Sequence, residues 1–585
     1  MLEIDQSQHE VINYPIDKSL YVTAPAGYGK TFVMTERIKY YLVQNKIRPP
    51  DRLLALTFTN AAANEMKDRI KKNVPNSEKI IEISNFHTFA YFLLRTYGNY
   101  IKLNRNFLIL DEEEKNEFKF NFLEEKIQQG LTVCRDIYFL KNNYDCWYNS
   151  RFLQNKHYSC EDEDVFLELY EGYKKQYIKE DCLDFDHLLF KAIELIQKKN
   201  QLKDLLFSKY VYLLIDEFQD TNFIQYLLFK EIATNSKGQK RQVFVVGDRK
   251  QSIMKFQGAN PQNLDFLIRD FNCVSLELKK NHRTSSKKII SITNILRGTA
   301  TEEDNKQRIS VFINDTVEEE NNRIIQIIKY LESKGKKLHE IALLFPQTKT
   351  SNQIKKALTL NNIESFFINE FKFNAFKITY SDFFTDLKQI IRDKINEKNV
   401  NILINEIIKK HYTNNNDFVL SMIINFSYRF DSGDYKHIEV WKRVQEFYNY
   451  LEMEIDWEKL IQTKIKDKVF LSTIHGSKGL EFNYIILFGI VNYRLPYHTN
   501  CFSCGKGEVD ISEAEDLFYV AVSRAIKDIF FVFSKQDEQN LNRTTRRLSC
   551  VFQPILSNAE FIDINSNSYG LTDEKVTGIL CNNED

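Results

Sequence analysis

Long apolar runs are missing from this chain. None approaches the ~20 residues that a membrane-crossing helix needs, so no bilayer span is expected. The start, Met1-Leu2-Glu3-Ile4-Asp5, has neither a basic segment nor an apolar core, and no secretory leader is read there. Net charge is missing as well. Lys+Arg and Asp+Glu number 80 each, which excludes a global field that would gather polyanions; contact with nucleic acid would have to come from local patches and base stacking. Nine scattered cysteines form no disulfide framework and read as reduced thiols of a cytoplasmic protein. His498, Cys501 and Cys504 have ligand-like spacing, but they are three where a structural zinc site takes four, and no metal centre is read from them. Sequence repeats and linkers dominated by Gly, Pro or Ser are absent too.

What is present points to several domains, because 585 residues are too many for one core. Short β-branched and aliphatic runs alternate with helical patterns, which argues for parallel α/β sheets. One set is Leu20–Thr23, Leu53–Thr57, Val211–Ile215 and Val243–Val246. A second set is Ser275–Leu278, Ile341–Phe345, Val469–Thr473, Tyr484–Phe488 and Ile529–Phe533. Two such sheets imply two motor-like domains facing one cleft, residues 1–90 with 191–274 and residues 275–374 with 466–585. Helical insertions at 91–190 and 375–465 interrupt them.

The chemistry sits at two strand ends. After Leu20-Tyr21-Val22 comes Ala24-Pro25-Ala26-Gly27-Tyr28-Gly29-Lys30-Thr31. Small residues at Ala26, Gly27 and Gly29 let the backbone curl and aim its N–H groups at phosphates, helped by the dipole of the following helix. Lys30 reaches the β/γ oxygens, and the Thr31 hydroxyl suits Mg²⁺. Ala24 stands where the pattern has its first glycine. Much later, the apolar run Leu213-Leu214-Ile215 ends in Asp216-Glu217. There Asp216 would hold Mg²⁺ and Glu217 would act as general base on water. The pair predicts hydrolysis of a nucleoside triphosphate.

Further segments follow in a fixed order: Ile4-Asp5-Gln6-Ser7-Gln8, Thr57-Phe58-Thr59-Asn60, Asn85-Phe86-His87-Thr88-Phe89, Asp216 to Asn222, Val246 to Ile253, Asn281-His282-Arg283-Thr284, Thr473 to Phe482 and Tyr519 to Ala525. This series resembles superfamily 1 helicases of the UvrD/Rep/PcrA type and covers most of the chain. The resemblance implies a fold of two RecA-like motors, each interrupted by a mainly helical insertion. It implies ATP and Mg²⁺ as cofactors, and single-stranded or tailed duplex DNA as partner, with 3′ to 5′ movement.

By the same resemblance Gln8 reads the adenine edge and His282, in place of a tyrosine, stacks on the base. Gln251 senses the γ-phosphate, Arg283 and Arg524 meet it from the second motor, and Glu481 lies on the ribose. Thr57, Phe58, Asn60, His87, Phe256 and His475 are the implied DNA contacts. Met254 stands where an aromatic is usual, and Gln257 replaces a common arginine. The second insertion, nearer 90 residues than the family's 160 or more, suggests reduced regulation of unwinding. The alternative is a DNA-sensing ATPase subunit beside a nuclease partner, as in phage-defence systems of the Gabija type.

Overall fold

The computed structural model describes residues 4–563 apart from 46, 48, 75–76, 110–111, 153–160, 180–181, 255–257, 368–376, 378, 413–417, 454, 456–466, 492–493, 496–510 and 536–547. Strands are numbered in chain order. The first sheet holds β1 (Leu20–Thr23), β2 (Arg52–Thr57), β3 (Ile81–Asn85), β6 (Tyr210–Ile215), β7 (Val243–Gly247) and β8 (Val274–Glu277). Their order is β3-β2-β6-β7-β1-β8, every pairing parallel. Helices cover both faces, so the central strands read as continuous apolar runs; Leu213, Leu214 and Ile215 are completely buried. The register sets Thr23 beside Gly247 and Ile215 beside Val245. The loops after β1, β6 and β7 therefore leave the sheet at one edge, where open α/β sheets place their ligands.

The second sheet has the order β11-β12-β10-β13-β14-β9-β15, again wholly parallel. Its strands are β9 (Ile309–Asn314), β10 (Ile341–Phe345), β11 (Ser365–Phe367), β12 (Val469–Thr473), β13 (Phe482–Phe488), β14 (Ala525–Ser534) and β15 (Ala559–Asp563). The two-sheet α/β architecture agrees with the expectation. One strand changes place: the run at Ser275–Leu278, expected to begin the second sheet, is β8 on the edge of the first, with Leu20 opposite Val274. Its run is too short to say which neighbour it will join. Periodicity also passed over β3, β9, β11 and β15.

The two insertions differ in how they are built. Between β3 and β6, the helices Glu112–Gln128, Ile137–Phe152 and Glu163–Lys179 enclose a core of their own around Leu123, Leu140, Trp147, Phe166 and Leu169. A short parallel pair, β4 (Leu108–Ile109) and β5 (Cys182–Leu183), closes its base. In the second insertion, the helices Ser381–Arg392, Val400–His411, Phe418–Ser427 and Val440–Met453 share one apolar cluster with the strands and helices of the second sheet.

Candidate ATP and nucleic-acid cleft

A cleft of about 740 Å³ opens between the two sheets. From the first come Gly27, Gly29, Lys30, Thr31, Asp216, Glu217 and Gln251; from the second come His282, Arg283, His475, Glu481 and Arg524. Phe58 and Asn60 line the same space.

Gly27 and Gly29 both have positive φ, 85° and 86°, a conformation that side chains oppose. At Gly27 the space is closed as well: a Cβ would stand 2.8 Å from both Arg283 Cβ and Asn281 Oδ1 of the facing motor. Glycine here lets the second motor touch the phosphate loop, and His282 N–H donates to the Gly27 carbonyl at 2.8 Å.

Lys30 is held by two side chains of the first motor. Its Nζ is 2.9 Å from Glu217 Oε1 and donates to Gln251 Oε1 at 3.1 Å. Glu217 has φ 51°, ψ 43°, the left-handed region that non-glycine residues enter at a cost. Its neighbours fix it there: Gln219 Nε2 donates to Glu217 Oε2 while Gln219 Oε1 accepts from Asp248 N–H at 2.9 Å. Burial raises the Glu217 carboxyl, but the charges of Lys30 and then Lys478 outweigh it and hold the group low, hence ionised. Burial and then the Glu217 charge push Asp216 upward. The hydrogen bond that Asp216 receives comes from Glu217 N–H at 2.9 Å.

A buried carboxylate and the Thr31 hydroxyl, both lining the cleft, are the oxygen donors that a hard cation takes. Among the described residues no group of three or more His, Cys, Asp or Glu could hold a metal alone. The donor set thus suits Mg²⁺, which is commonly held by one or two protein oxygens together with nucleotide phosphates.

From the other side, Arg283 Nη1 donates to Ser523 O at 2.8 Å and Nη2 pairs with Glu481. Arg524 is 4% exposed and spends its donors on Val520 O at 3.2 Å and Ser523 Oγ at 3.0 Å, neither of them a carboxylate. Burial, and then the Arg283 charge, hold its guanidinium down at about 10. Two cations brought together in this way form a site for anionic oxygens.

The other expected residues fall in varied places. Gln8 is 3% exposed; its Nε2 rests on Tyr28 O at 3.5 Å, and its Oε1 accepts from Asp5 N–H at 3.4 Å as part of a helix capping box. His282 Nε2 meets Asp5 Oδ2 at 2.7 Å, so the imidazole is tied to the Gln8 helix. The Ala26 amide points across the cleft to Tyr519 Oη at 3.4 Å.

Phe58 is half-buried at the turn after β2 and faces the cleft. Thr57 is fully enclosed and its hydroxyl donates to Thr59 O at 2.9 Å, so it shapes the turn that presents Phe58. His87 packs edge-on against Phe185 at 5.2 Å, and burial pushes it down to about 4, so at neutral pH it brings no charge to a phosphate. Phe256, Gln257, His498, Cys501 and Cys504 lie outside the described residues; Met254 lines the cleft.

Two family models match the chain. One, for the UvrD/REP helicase N-terminal domain, spans residues 4–272; the other, for the UvrD-like helicase C-terminal domain, spans 375–536. The chain belongs to the UvrD-like helicases of superfamily 1. This helicase is 25% identical to the ATP-dependent DNA helicase PcrA of Bacillus subtilis, over 93% of its own length and 85% of the relative's. It is 27% identical to the ATP-dependent DNA helicase Rep of Buchnera aphidicola, over 88% and 92% of the two chains. A Staphylococcus aureus PcrA is 30% identical across 59% of the helicase and 48% of the relative.

Reading motifs alone passed over three residues of the cleft helicase site. Lys478 crosses to Asp220 and to Gln251 O at 2.8 Å, and Tyr519 meets the phosphate loop. Both lay inside quoted motifs with no role attached. The third, Arg297, carried no sequence signal.

Proposed function

We propose that this helicase hydrolyses ATP in the cleft to move 3′ to 5′ along single-stranded DNA and to separate duplex ahead of it. One observation carries the reading: Lys30 is held between Glu217 and Gln251 on one motor, facing Arg283 and Arg524 on the other. On binding ATP, Lys30 exchanges its carboxylate partner for the β/γ-phosphate oxygens. That frees Glu217 to take a proton from water as its oxygen attacks the γ-phosphorus and the bond to the bridging oxygen breaks. Arg283 and Arg524 neutralise charge on the equatorial oxygens, a contribution worth ~10³–10⁵ in rate in related chemistry. Mg²⁺ held by Thr31 and Asp216 would supply charge neutralisation at the phosphates. Gln8, Ala26, Gly27 and Gly29 position the nucleotide, with His282 beside the base and Glu481 toward the ribose.

Phe58, Asn60 and His475 are the proposed strand contacts on the far side of the same cleft. Opening and closing it with nucleotide state would ratchet the strand. We assign residues 1–90 and 191–277 to the first motor and 278–374 and 466–585 to the second. Lys30→Ala tests the reading. It should abolish DNA-stimulated ATP hydrolysis and, with it, separation of a 3′-tailed duplex, leaving the fold intact. Retention of more than about a tenth of turnover would sink it.

The apolar cluster that the described helices of the second insertion share with the second sheet favours a second reading, a DNA-sensing ATPase that works beside a nuclease partner. Strand displacement by the isolated chain opposes it.

A further inference from the structure

Arg297 is the last residue of the helix Lys287–Arg297, closed by Gly298 at φ 72°. It belongs to the second motor, yet its guanidinium crosses the cleft. Nη1 donates to Asp248 Oδ2 at 2.7 Å and to Tyr519 Oη at 3.3 Å, and the guanidinium stands 5.5 Å from the centre of the Tyr519 ring. Each of those partners touches the phosphate site. Asp248 Oδ2 also accepts from Gln251 Nε2 at 2.7 Å, which turns Gln251 Oε1 toward Lys30 Nζ at 3.1 Å. Tyr519 Oη accepts from Ala26 N–H of the phosphate loop. A ring of contacts therefore runs from Lys30 through Gln251, Asp248, Arg297 and Tyr519 back to the loop that carries Lys30. Asp248, Gln251 and Tyr519 are 1%, 3% and 2% exposed, so water does not compete for these bonds.

We infer that Arg297 is a positioning residue for ATP hydrolysis. It fixes the carboxylate of Asp248 so that Gln251 presents its amide oxygen to Lys30 and the γ-phosphate, and it makes this posture depend on where the second motor stands. The inference rests on the ATP-site reading above. A cation is needed because Asp248 is buried with two donors on one oxygen. Arginine suits the place because Nη1 carries two hydrogens, one for the carboxylate and one for the hydroxyl, while the flat guanidinium lies against the Tyr519 ring, a contact a lysine ammonium makes less well. Buried ion pairs of this kind can also be mere scaffolding, and breaking one is destabilising by itself. Stability alone therefore decides nothing.

The test uses the full chain with saturating oligo-dT and compares Arg297→Met, Arg297→Lys and the double variant Arg297→Met/Asp248→Asn. Arg297→Met should lose about tenfold or more in kcat while KM for ATP stays within about twofold. Arg297→Lys should recover part of the rate. The double variant removes the stranded carboxylate, so it should regain thermal stability without regaining kcat. Recovery of both by the double variant, or a loss confined to KM, would make Arg297 structural and overturn the inference. The double and lysine variants carry the test if Arg297→Met does not fold. A wild-type chain that hydrolyses no ATP refutes the cleft assignment itself, whereas wild-type turnover in Arg297→Met refutes the arginine alone.

Discussion

At the scale of single residues, the side chains of the site hold one another in place. Glu217 keeps its left-handed backbone because Gln219 and Lys30 grip its carboxylate. Glu217→Gln keeps those donors' shape but cannot accept a proton. It should bind MgATP and DNA and trap both, with hydrolysis falling at least about a hundredfold in single-turnover measurements. His87 supports a prediction about pH. Its ring is held at about 4, below the ordinary 6.5, so the folded chain keeps it neutral where the unfolded chain binds a proton. The unfolded state then binds more protons between those values. Its contribution to stability is complete above about 6.5 and is lost as pH falls toward 4. Urea unfolding of His87→Phe, compared with the wild type at pH 7.5 and pH 5, should show a smaller loss on acidification. Equal losses would mean the ring is already solvated.

At the scale of elements, the strands that carry chemistry were legible because buried parallel strands advertise themselves as unbroken apolar runs. Val211–Ile215 and Val243–Val246 are of this kind. β8 was misplaced because Val274 and Ser275 are exposed at an edge, where no second covered face marks them. The motif residues were legible as types, but their partners were not. No pattern in the sequence puts Arg297 beside Asp248, since the contact spans two motors. The burial of Thr57 was not legible either: its neighbours in the motif face the cleft while its own hydroxyl turns inward.

The separate core of the first insertion has a measurable effect. Trp147→Ala should cost about 3–5 kcal/mol and melt that insertion while the ATP site survives. Ile404→Ala, in the cluster shared with the second sheet, should cost about 2–5 kcal/mol and lower the melting of the second motor with it. Limited proteolysis with and without ATP distinguishes the two patterns. Melting of the first motor together with its insertion in Trp147→Ala would show that the cores are not separate.

At the scale of the whole molecule, the motors are joined away from the nucleotide as well. The helix Val440–Met453, returning from the second insertion, rests on the helix Phe86–Tyr97, which leads from the first motor into its insertion. Glu446 pairs with Arg95, Asn449 Nδ2 donates to Tyr91 Oη at 3.0 Å, and Gln445 Nε2 donates to Asn106 O at 2.8 Å. Gln445 and Asn449 are 2% and 3% exposed, so this is a dry polar contact that is costly to half-break. Asn449→Ala should therefore alter separation of a 3′-tailed duplex by several-fold while ATP turnover on single strands changes by less than about twofold. Equal effects on both would place the contact in the ATPase cycle.

The order of the first sheet also bears on how the chain is made. β1 leads into the phosphate loop, yet its two neighbours are β7 and β8, from Val243–Gly247 and Val274–Glu277. On the ribosome, Leu20 to Thr23 emerge before either neighbour and wait with both edges unpaired until β7 clears the exit tunnel, and with one edge unpaired until β8 does. Contacts so distant in sequence form late, and bare strand edges invite association meanwhile. A nascent chain stalled before β7 has no partner for β1, so the strand that carries the phosphate loop gains its place in the sheet only once β7 and β8 have been translated.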